Sequence, residues 1–382
     1  MTQRKLKVLT IVGTRPEIIK LSRVLEELDR HTDHVLVHTG QNYDFELNEV
    51  FFQDLGIRKP DHFLDVASSS VAETIAAVIA RSDEVLEAEN PDAVLLYGDT
   101  NSCLSVISAK RRKIPVFHME AGNRSFDERV PEELNRRIVD HLSDVNMTNS
   151  EHARRYLLSE GLRPELVITT GSPMREVLQY ALPGIEQSDV LSRLDLAPNG
   201  YFVVSCHREE NVDESRQLRA LLDELGELHE EYDLPIIIST HPRTRRRLEE
   251  LGTEYNAPGL IWAKPFGFLD YVALQRQARC VISDSGTITE ESSILGFPAV
   301  MVRDAHERPE GIDVGVLPFV GLTEGRLAAA VRMVVAQNEA SPAPRTVHDY
   351  DADRVSQTVA RIILSYTGYV NRVIWRKFGS SD

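Results

Sequence analysis

The sequence predicts an α/β protein built from two Rossmann-like, doubly wound domains that face each other across a cleft. Two observations predict it. Short apolar, β-branched runs alternate with amphipathic helical stretches through the first half of the chain, and the same alternation restarts near residue 200. The chain is also 382 residues long, which exceeds one typical core and suits two domains of ordinary size.

In the first half, strands are expected at Val8–Val12, His34–His38, Ala93–Tyr97, Pro115–Met119, Val145–Met147 and Leu166–Thr169. Helices are expected between them, at Pro16–Leu28, Val71–Ala88, Asn101–Arg111, Pro131–Leu142 and Glu151–Ser159. The second set of strands is Tyr201–Ser205, Pro235–Ser239, Leu260–Trp262, Cys280–Ser283 and Ala299–Val302. Its helices fall around Glu214–His229, Arg243–Leu251, Leu269–Arg276, Thr287–Leu295 and Glu324–Val335. A hinge is expected near Leu182–Asp189, where Pro183 and Gly184 interrupt the pattern. The domains are then 1–182 and 183–366, the second ending in a helix at Asp353–Tyr366. A tail, 367–382, carries Trp375 and Phe378 and is expected to dock back on the body.

The formal net charge of −16 argues against nucleic acid and anionic membranes as partners. An anionic small ligand then requires a locally basic site. Cys103, Cys206 and Cys280 form no CxxC pair and sit in or beside apolar runs, as buried thiols of a reducing compartment do. No apolar stretch approaches the ~20 residues that span a bilayer. The N-terminal apolar run leads into a Gly-Thr-Arg-Pro turn and not a small-residue cleavage site, so it reads as a strand and the location as cytoplasmic.

In open parallel sheets ligands bind at the carboxyl ends of strands, so the loops there carry the candidates. The first is Gly13-Thr14-Arg15-Pro16-Glu17. Thr14 and Glu17 have capping-box spacing and Pro16 fits the first helical position. Arg15 has no such explanation, because a cation at a helix N-terminus opposes the dipole unless an anion binds there. Lys20, a turn further on, could lie on the same side. No GxGxxG occurs, which argues against a nicotinamide cofactor, and no cofactor of another kind is expected.

Asp99, in Gly98-Asp99-Thr100-Asn101-Ser102, reads equally as a helix cap and as a catalytic acid. Glu120, in His118-Met119-Glu120-Ala121-Gly122, ends a strand where packing gives no reason for a carboxylate. Glu132 and Glu133 open a helix, where acids are favourable in any case. Three carboxylates, Asp99, Glu120 and Glu132, could thus share one cleft and act as acid and base. In the second half His207 and Arg208 follow one strand and His241 follows the next; neither histidine has metal-ligand spacing, and no metal is expected. Asp284-Ser285-Gly286-Thr287-Ile288-Thr289-Glu290-Glu291 reads as a strand end passing into a helix start. Gly286 there lets a diphosphate approach free N–H groups, and Glu291 lies within reach of a ribose. Arg308, after the next strand, adds positive charge.

Seven strings, GTRPEIIK, GDTNS, HMEAGNR, PEELNRR, CHREEN, DSGTITEE and RDAHERPE, occur in order across most of the chain. Together they resemble the non-hydrolysing UDP-N-acetylglucosamine 2-epimerases. The resemblance implies a two-domain GT-B glycosyltransferase-like fold and a reaction that eliminates UDP across C1–C2 to a 2-acetamidoglucal and adds it back. It also implies catalytic roles for Asp99, Glu120, Glu132 and His207. Arg15 and Lys20 would contact the sugar-phosphate, with Arg208 and His241 also on the substrate. Ser285, Gly286, Glu291 and Arg308 would grip UDP. Homodimers are common in the family, and surface polysaccharide precursors are a common product. The chain departs from the family in Asn123–Val130, which is shorter than usual, in Glu209 where Arg is usual, and in Gln41–Asp44. In the bacterial GlcNAc enzymes these regions help form a second, activating UDP-GlcNAc site, so the resemblance does not extend to it. NYDFELN and HMEAGNRSFDERVPEE are closer to the capsule and O-antigen branch that makes UDP-N-acetyl-L-fucosamine from the 6-deoxy-L-talo sugar. A GT-B glycosyltransferase, a hydrolysing epimerase and a UDP-sugar sensor remain the alternatives.

Overall fold

The computed structural model describes residues 4–40, 51–206, 215–240, 259–322, 325–342 and 345–377. The chain divides into two compact units, Met1–Tyr180 with Asp349–Asp382, and Ala181–His348. In the first unit the strands are β1 (Lys7–Val12), β2 (Asp33–His38), β3 (His62–Phe63), β4 (Ala93–Tyr97), β5 (Val116–Met119), β6 (Val145–Thr148) and β7 (Val167–Thr169). They form one parallel sheet in the order β3-β2-β1-β4-β5-β6-β7. Its helices are α1 (Arg15–His31), α2 (Val71–Glu89), α3 (Val106–Arg111), α4 (Pro131–Leu142) and α5 (Glu151–Ser159), while α6 (Met174–Glu186) begins in this unit and continues into the second.

The β-branched runs form strands buried on both faces because successive side chains point to opposite sides. Val8, Val12, Leu36, Leu95, Phe117 and Met147 pack with α1 on one face. Leu9, Ile11, Val35, Val94, Leu96 and Val116 pack with side chains of α2, α3 and α4 on the other.

The second unit repeats the plan with β8 (Phe202–Ser205), β9 (Ile236–Ser239), β10 (Leu260–Ala263), β11 (Cys280–Ser283), β12 (Ala299–Val302) and β13 (Phe319–Val320). The order is β10-β9-β8-β11-β12-β13, again parallel throughout. Helices α7 (Val190–Arg193), α8 (Ser215–Tyr232), α9 (Phe268–Gln277), α10 (Ile288–Leu295), α11 (Pro309–Asp313) and α12 (Leu327–Ala340) connect the strands. Each sheet reverses its winding direction once, between β1 and β4 and between β8 and β11. The three cysteines are buried, and among the described residues no helix is long and apolar enough to cross a membrane.

The structure corrects several expectations. The two-residue edge strands β3 and β13 are too short to carry a periodic signal. The stretch expected as one helix at Asn101–Arg111 is a 3-10 turn, Asn101–Ser105, followed by α3. Pro183 does not end a helix but lies inside α6. Burial of Val177, Leu178, Ala181 and Ile185 along that helix offsets the backbone hydrogen bond that proline forfeits. Gly184 is there for close packing, since a Cβ would meet Leu269 Cδ1 at 2.9 Å. The expected helix Arg243–Leu251 lies outside the described residues.

The largest correction concerns the C-terminus. Helix α13 (Val355–Val373) belongs to the first unit and not the second. Val355, Val359, Ile363 and Val370 join the cluster formed by α1 and the β1 face of the sheet. Sequence proximity favoured the second domain; the apolar stripe of α13 is instead what covers α1. Trp375 packs on the same cluster, with Lys110 Nζ 4.9 Å above its ring, whereas Phe378 lies outside the described residues. Ile363→Ala therefore destabilises the first unit by about 2–4 kcal/mol, read by Trp375 fluorescence in a Trp262→Phe background during urea unfolding. A loss confined to the unfolding of the second unit contradicts this assignment.

Candidate active site

The candidate residues of the first unit sit on the loops after β4 and β5, where Asp99 and Glu120 lie, and on the helices α1, with Arg15 and Lys20, and α4, with Glu132. Arg15 is the first residue of α1 and Pro16 the second, one position later than the sequence suggested. The Thr14 hydroxyl does not cap the helix. It donates to Glu17 Oε1 at 3.0 Å, while Gly13 N–H donates to Glu17 Oε2 at 2.7 Å. The Thr100 hydroxyl, from the loop after β4, donates to the same Oε1. The Glu17 carboxyl thus ties together the two loops that flank the reversal. Burial pushes its pKa up to about 7 against the pull of these hydrogen bonds, with the Asp99 charge adding a further rise.

The two readings of Asp99 separate. Thr100 is the residue that caps the 3-10 turn, its Oγ1 accepting from Ser102 N–H at 3.3 Å. The Asp99 carboxylate instead accepts from Arg136 Nη2 and Nε, at 2.5 and 3.1 Å. Arg136, on α4, also donates to Glu133 at 2.9 Å. Glu133 is buried and further fixed by the Ser125 N–H and hydroxyl, each at 3.0 Å. Its neighbour Glu132 is half-buried and has no hydrogen bond or ion pair among the described residues. Of the two adjacent acids, Glu133 is thus a structural anchor and Glu132 is not.

Glu120 follows β5 with φ of 60°, a left-handed backbone that an L-residue adopts only under constraint. Three donors converge on its Oε2: Tyr97 Oη at 2.6 Å, Lys20 Nζ at 2.7 Å and Asn149 Nδ2 at 3.2 Å. Lys20 is buried, and Arg15 lies with its guanidinium 5.6 Å from the Phe51 ring centre. Contacts therefore run from Glu120 to α1, from α1 to the Asp99 loop, and from Asp99 to α4, where Glu132 sits.

In the second unit the turn after β11 is internally bonded. Ser285 N–H donates to Ser283 Oγ at 3.1 Å, and the Ser285 and Thr287 hydroxyls share a hydrogen bond of 3.0 Å. Helix α10 then starts at Ile288. A Cβ on Gly286 would meet only Arg303 Nη1, at an ordinary 3.9 Å, so the fold itself does not demand glycine there. Glu291 is buried and its Oε2 accepts from Gln275 Nε2 at 2.7 Å. Arg308 is buried against Glu290 at 3.1 Å, so the positive charge expected of it is balanced within the unit. Tyr271, whose hydroxyl is raised by burial and by Glu291, bonds Ser205 nearby. His207, Arg208 and His241 lie outside the described residues.

Sequence reasoning missed Tyr97, Asn149 and Arg136 around the acids, and Gln275 and Tyr271 beside Glu291. Only Arg136 left a signal, as the i+3 partner of Glu133 on an acid-headed helix.

Two parallel α/β units, one with an acid-rich strand-end cluster and one with a small-residue helix start, define a class of nucleotide-sugar enzyme folds. The sequence profile described as UDP-N-acetylglucosamine 2-epimerase matches residues 26–364, and the chain belongs to that family; its chemistry is that of an isomerase. A solved structure named UDP-N-acetylglucosamine 2-epimerase, from Rickettsia bellii, is 55% identical, with a TM-score of 0.92 over 98% of this chain and 100% of that one. The Methanocaldococcus jannaschii UDP-GlcNAc 2-epimerase, solved with UDP-GlcNAc and UDP, is 32% identical, with a TM-score of 0.87 over 94% of this chain and 100% of that one. A Pseudomonas aeruginosa UDP-2,3-diacetamido-2,3-dideoxy-D-glucuronate 2-epimerase is 30% identical over 94% of this chain and 99% of its own length.

The raised Glu17 pKa has a definite sign. The fold favours the protonated carboxyl, so this contribution is complete below the ordinary value of 4.5 and is lost as pH rises through about 7. Glu17→Gln mimics the protonated form. Its unfolding free energy matches that of the native chain near pH 4 and exceeds it at pH 8 by up to about 3 kcal/mol. A gap that does not change with pH contradicts the assignment.

Proposed function

We propose that the protein is a non-hydrolysing UDP-2-acetamido-sugar 2-epimerase that works by elimination and re-addition of UDP. The observation that carries the reading is Glu120, a carboxylate fixed by Lys20, Tyr97 and Asn149 at a strand end beside the reversal of the sheet. The C2 proton of a 2-acetamido sugar is only weakly acidic, so its direct inversion is slow. Removal of that proton by one carboxylate, with departure of UDP and its C1–O electron pair, gives the C1=C2 glycal. A second group then protonates C2 from the opposite face while UDP re-forms the C1–O bond. No redox partner is required.

Asp99, Glu120 and Glu132 supply the acid–base groups, with His207 as a further catalytic residue. Arg15 and Lys20 serve the sugar-phosphate, and Arg208 and His241 also bind the substrate. Ser285, Gly286, Glu291 and Arg308 retain UDP between the two half-reactions. The open space beside Gly286 supports this, because a glycine the fold does not need fits a site that a diphosphate approaches. The active form is a homodimer supplying a surface polysaccharide precursor. Family membership leaves the sugar open, since the relatives are named for different 2-acetamido sugars. The segment Asn123–Val130 supports UDP-2-acetamido-2,6-dideoxy-L-talose as a substrate beside UDP-GlcNAc.

In heavy water, NMR detects deuterium entering C2 of the UDP-sugar with UDP conserved. Glu120→Gln lowers that exchange at least a hundredfold and leaves UDP affinity within about threefold. Transfer to an acceptor, or net release of UDP and free sugar, contradicts the proposal in favour of a glycosyltransferase or a hydrolysing enzyme. The sugar that exchanges faster identifies the branch.

A further inference from the structure

Beneath the two acid-bearing loops of the first unit lies a group of buried charges that the proposed chemistry does not use. His118, Arg124 and Asp140 are each no more than 2% exposed. His118 Nδ1 lies 2.9 Å from Asp140 Oδ1, and its Nε2 lies 2.7 Å from the Gly98 carbonyl oxygen. Both partners are acceptors. The Asp140 carboxylate already takes Arg124 Nη1 at 2.7 Å and Gly122 N–H at 3.2 Å, which marks it as ionised. A neutral imidazole has only one N–H and would leave one of its two acceptors facing a lone pair. Satisfying both contacts takes two protons on the ring.

We propose that His118 is a positively charged positioning residue, clamped by Asp140, and that this clamp fixes the loops carrying Asp99 and Glu120. The geometry reaches both loops directly. Gly98, which accepts from His118, immediately precedes Asp99. Gly122, which donates to Asp140, is two residues after Glu120, and a Cβ there would strike the Ala153 carbonyl oxygen at 2.4 Å. Any loosening of the clamp therefore shifts both carboxylates together.

The other groups packed against the ring are accounted for. From β6 comes the neutral Asn146, whose Nδ2 donates to the Asp140 carbonyl at 2.9 Å. From the 3-10 turn comes Cys103, whose thiol shares the Gly98 carbonyl at 3.1 Å and is kept neutral by burial. Arg124 is held in turn by Glu160 at 2.8 and 2.7 Å, and His141 meets Glu160 at 3.0 Å. The charges of His118, Asp140, Arg124 and Glu160 sum to zero, the condition under which such burial is tolerated. Burial alone would lower the imidazole pKa; the Asp140 bond and charge, then the Gly98 carbonyl, carry it above its ordinary value. Burial alone would raise the Asp140 pKa; His118 and Arg124 carry it below the usual range. The clamp is thus lost as pH rises through the raised His118 value.

The inference rests on the reading of Asp99 and Glu120 as the acid–base groups, and its first test needs no turnover. Long-range proton–nitrogen NMR of the full chain labelled with nitrogen-15 in histidine, at pH 8, is expected to show the His118 ring with both nitrogens protonated. The ring is assigned by its loss in His118→Gln or, where that variant does not fold, by its proximity to Gly98. An unprotonated nitrogen on that ring at pH 8 overturns the proposal. Asp140→Asn is expected to lower kcat for C2 exchange at least tenfold at pH 8, with KM within threefold. It also moves the alkaline limb of the kcat profile to lower pH. An unmoved limb overturns the positioning role. Absence of C2 exchange in the native chain counts against the epimerase reading alone and leaves the ring measurement standing.

Discussion

A lysine buried to 1% exposure and a carboxylate 2.7 Å away hold the candidate site together. Lys20 rises from α1 and Glu120 from the end of β5, so their pairing joins segments 100 residues apart in sequence. Removing either partner of such a pair leaves an uncompensated buried charge, which costs on the order of 3–5 kcal/mol. The left-handed backbone of Glu120 persists because its side chain is fixed from three sides. Around this pair four other acids have their own balance: Arg136 for Asp99 and Glu133, Arg124 for Asp140 and Glu160. An acidic chain that binds an anionic sugar nucleotide would otherwise face its ligand with bare carboxylates. Local neutralisation removes that objection, and it also weakens the case for a passive sensor, which has no use for aimed acids.

The same sheet rule places candidates in both units. Each sheet reverses direction once, and the loops at that reversal carry GTRPE and GDTNS in one unit and DSGTITEE in the other. The loops differ in chemistry because their helix starts differ. In α1 a buried Glu17 occupies Gly13 N–H and two threonine hydroxyls, so the turn is locked by its own side chains. At α10 small residues and an unobstructed Gly286 leave the backbone approachable.

Most of the fold was legible because strands buried on both faces write continuous apolar runs. The boundaries of Ala93–Tyr97, Cys280–Ser283 and Ala299–Val302 coincide with the expected ones, as do those of Pro131–Leu142 and Glu151–Ser159. Chain order misled for α13, whose apolar stripe says that it packs but not against which unit. Pro183 misled because a helix propensity is a local quantity and burial along α6 overrides it. At the site, the unusual position of Glu120 was visible in sequence, as was the cap-or-acid ambiguity of Asp99. Setting the cap reading aside needed Arg136, a long-range partner that no spacing from Asp99 reveals. The role of His118 was hidden for the same reason: its two acceptors come from β4 and α4, and only the fold brings them to one ring.

Breakage of the C1–O bond is the step on which the proposed chemistry turns. A UDP-sugar carrying oxygen-18 in the bridge between C1 and the β-phosphorus reports it directly, by the isotope shift in phosphorus NMR. Elimination frees the β-phosphate to rotate before UDP adds back, so the label scrambles between bridging and non-bridging positions at least as fast as C2 inverts. Inversion at C2 with the label held in the bridge contradicts elimination.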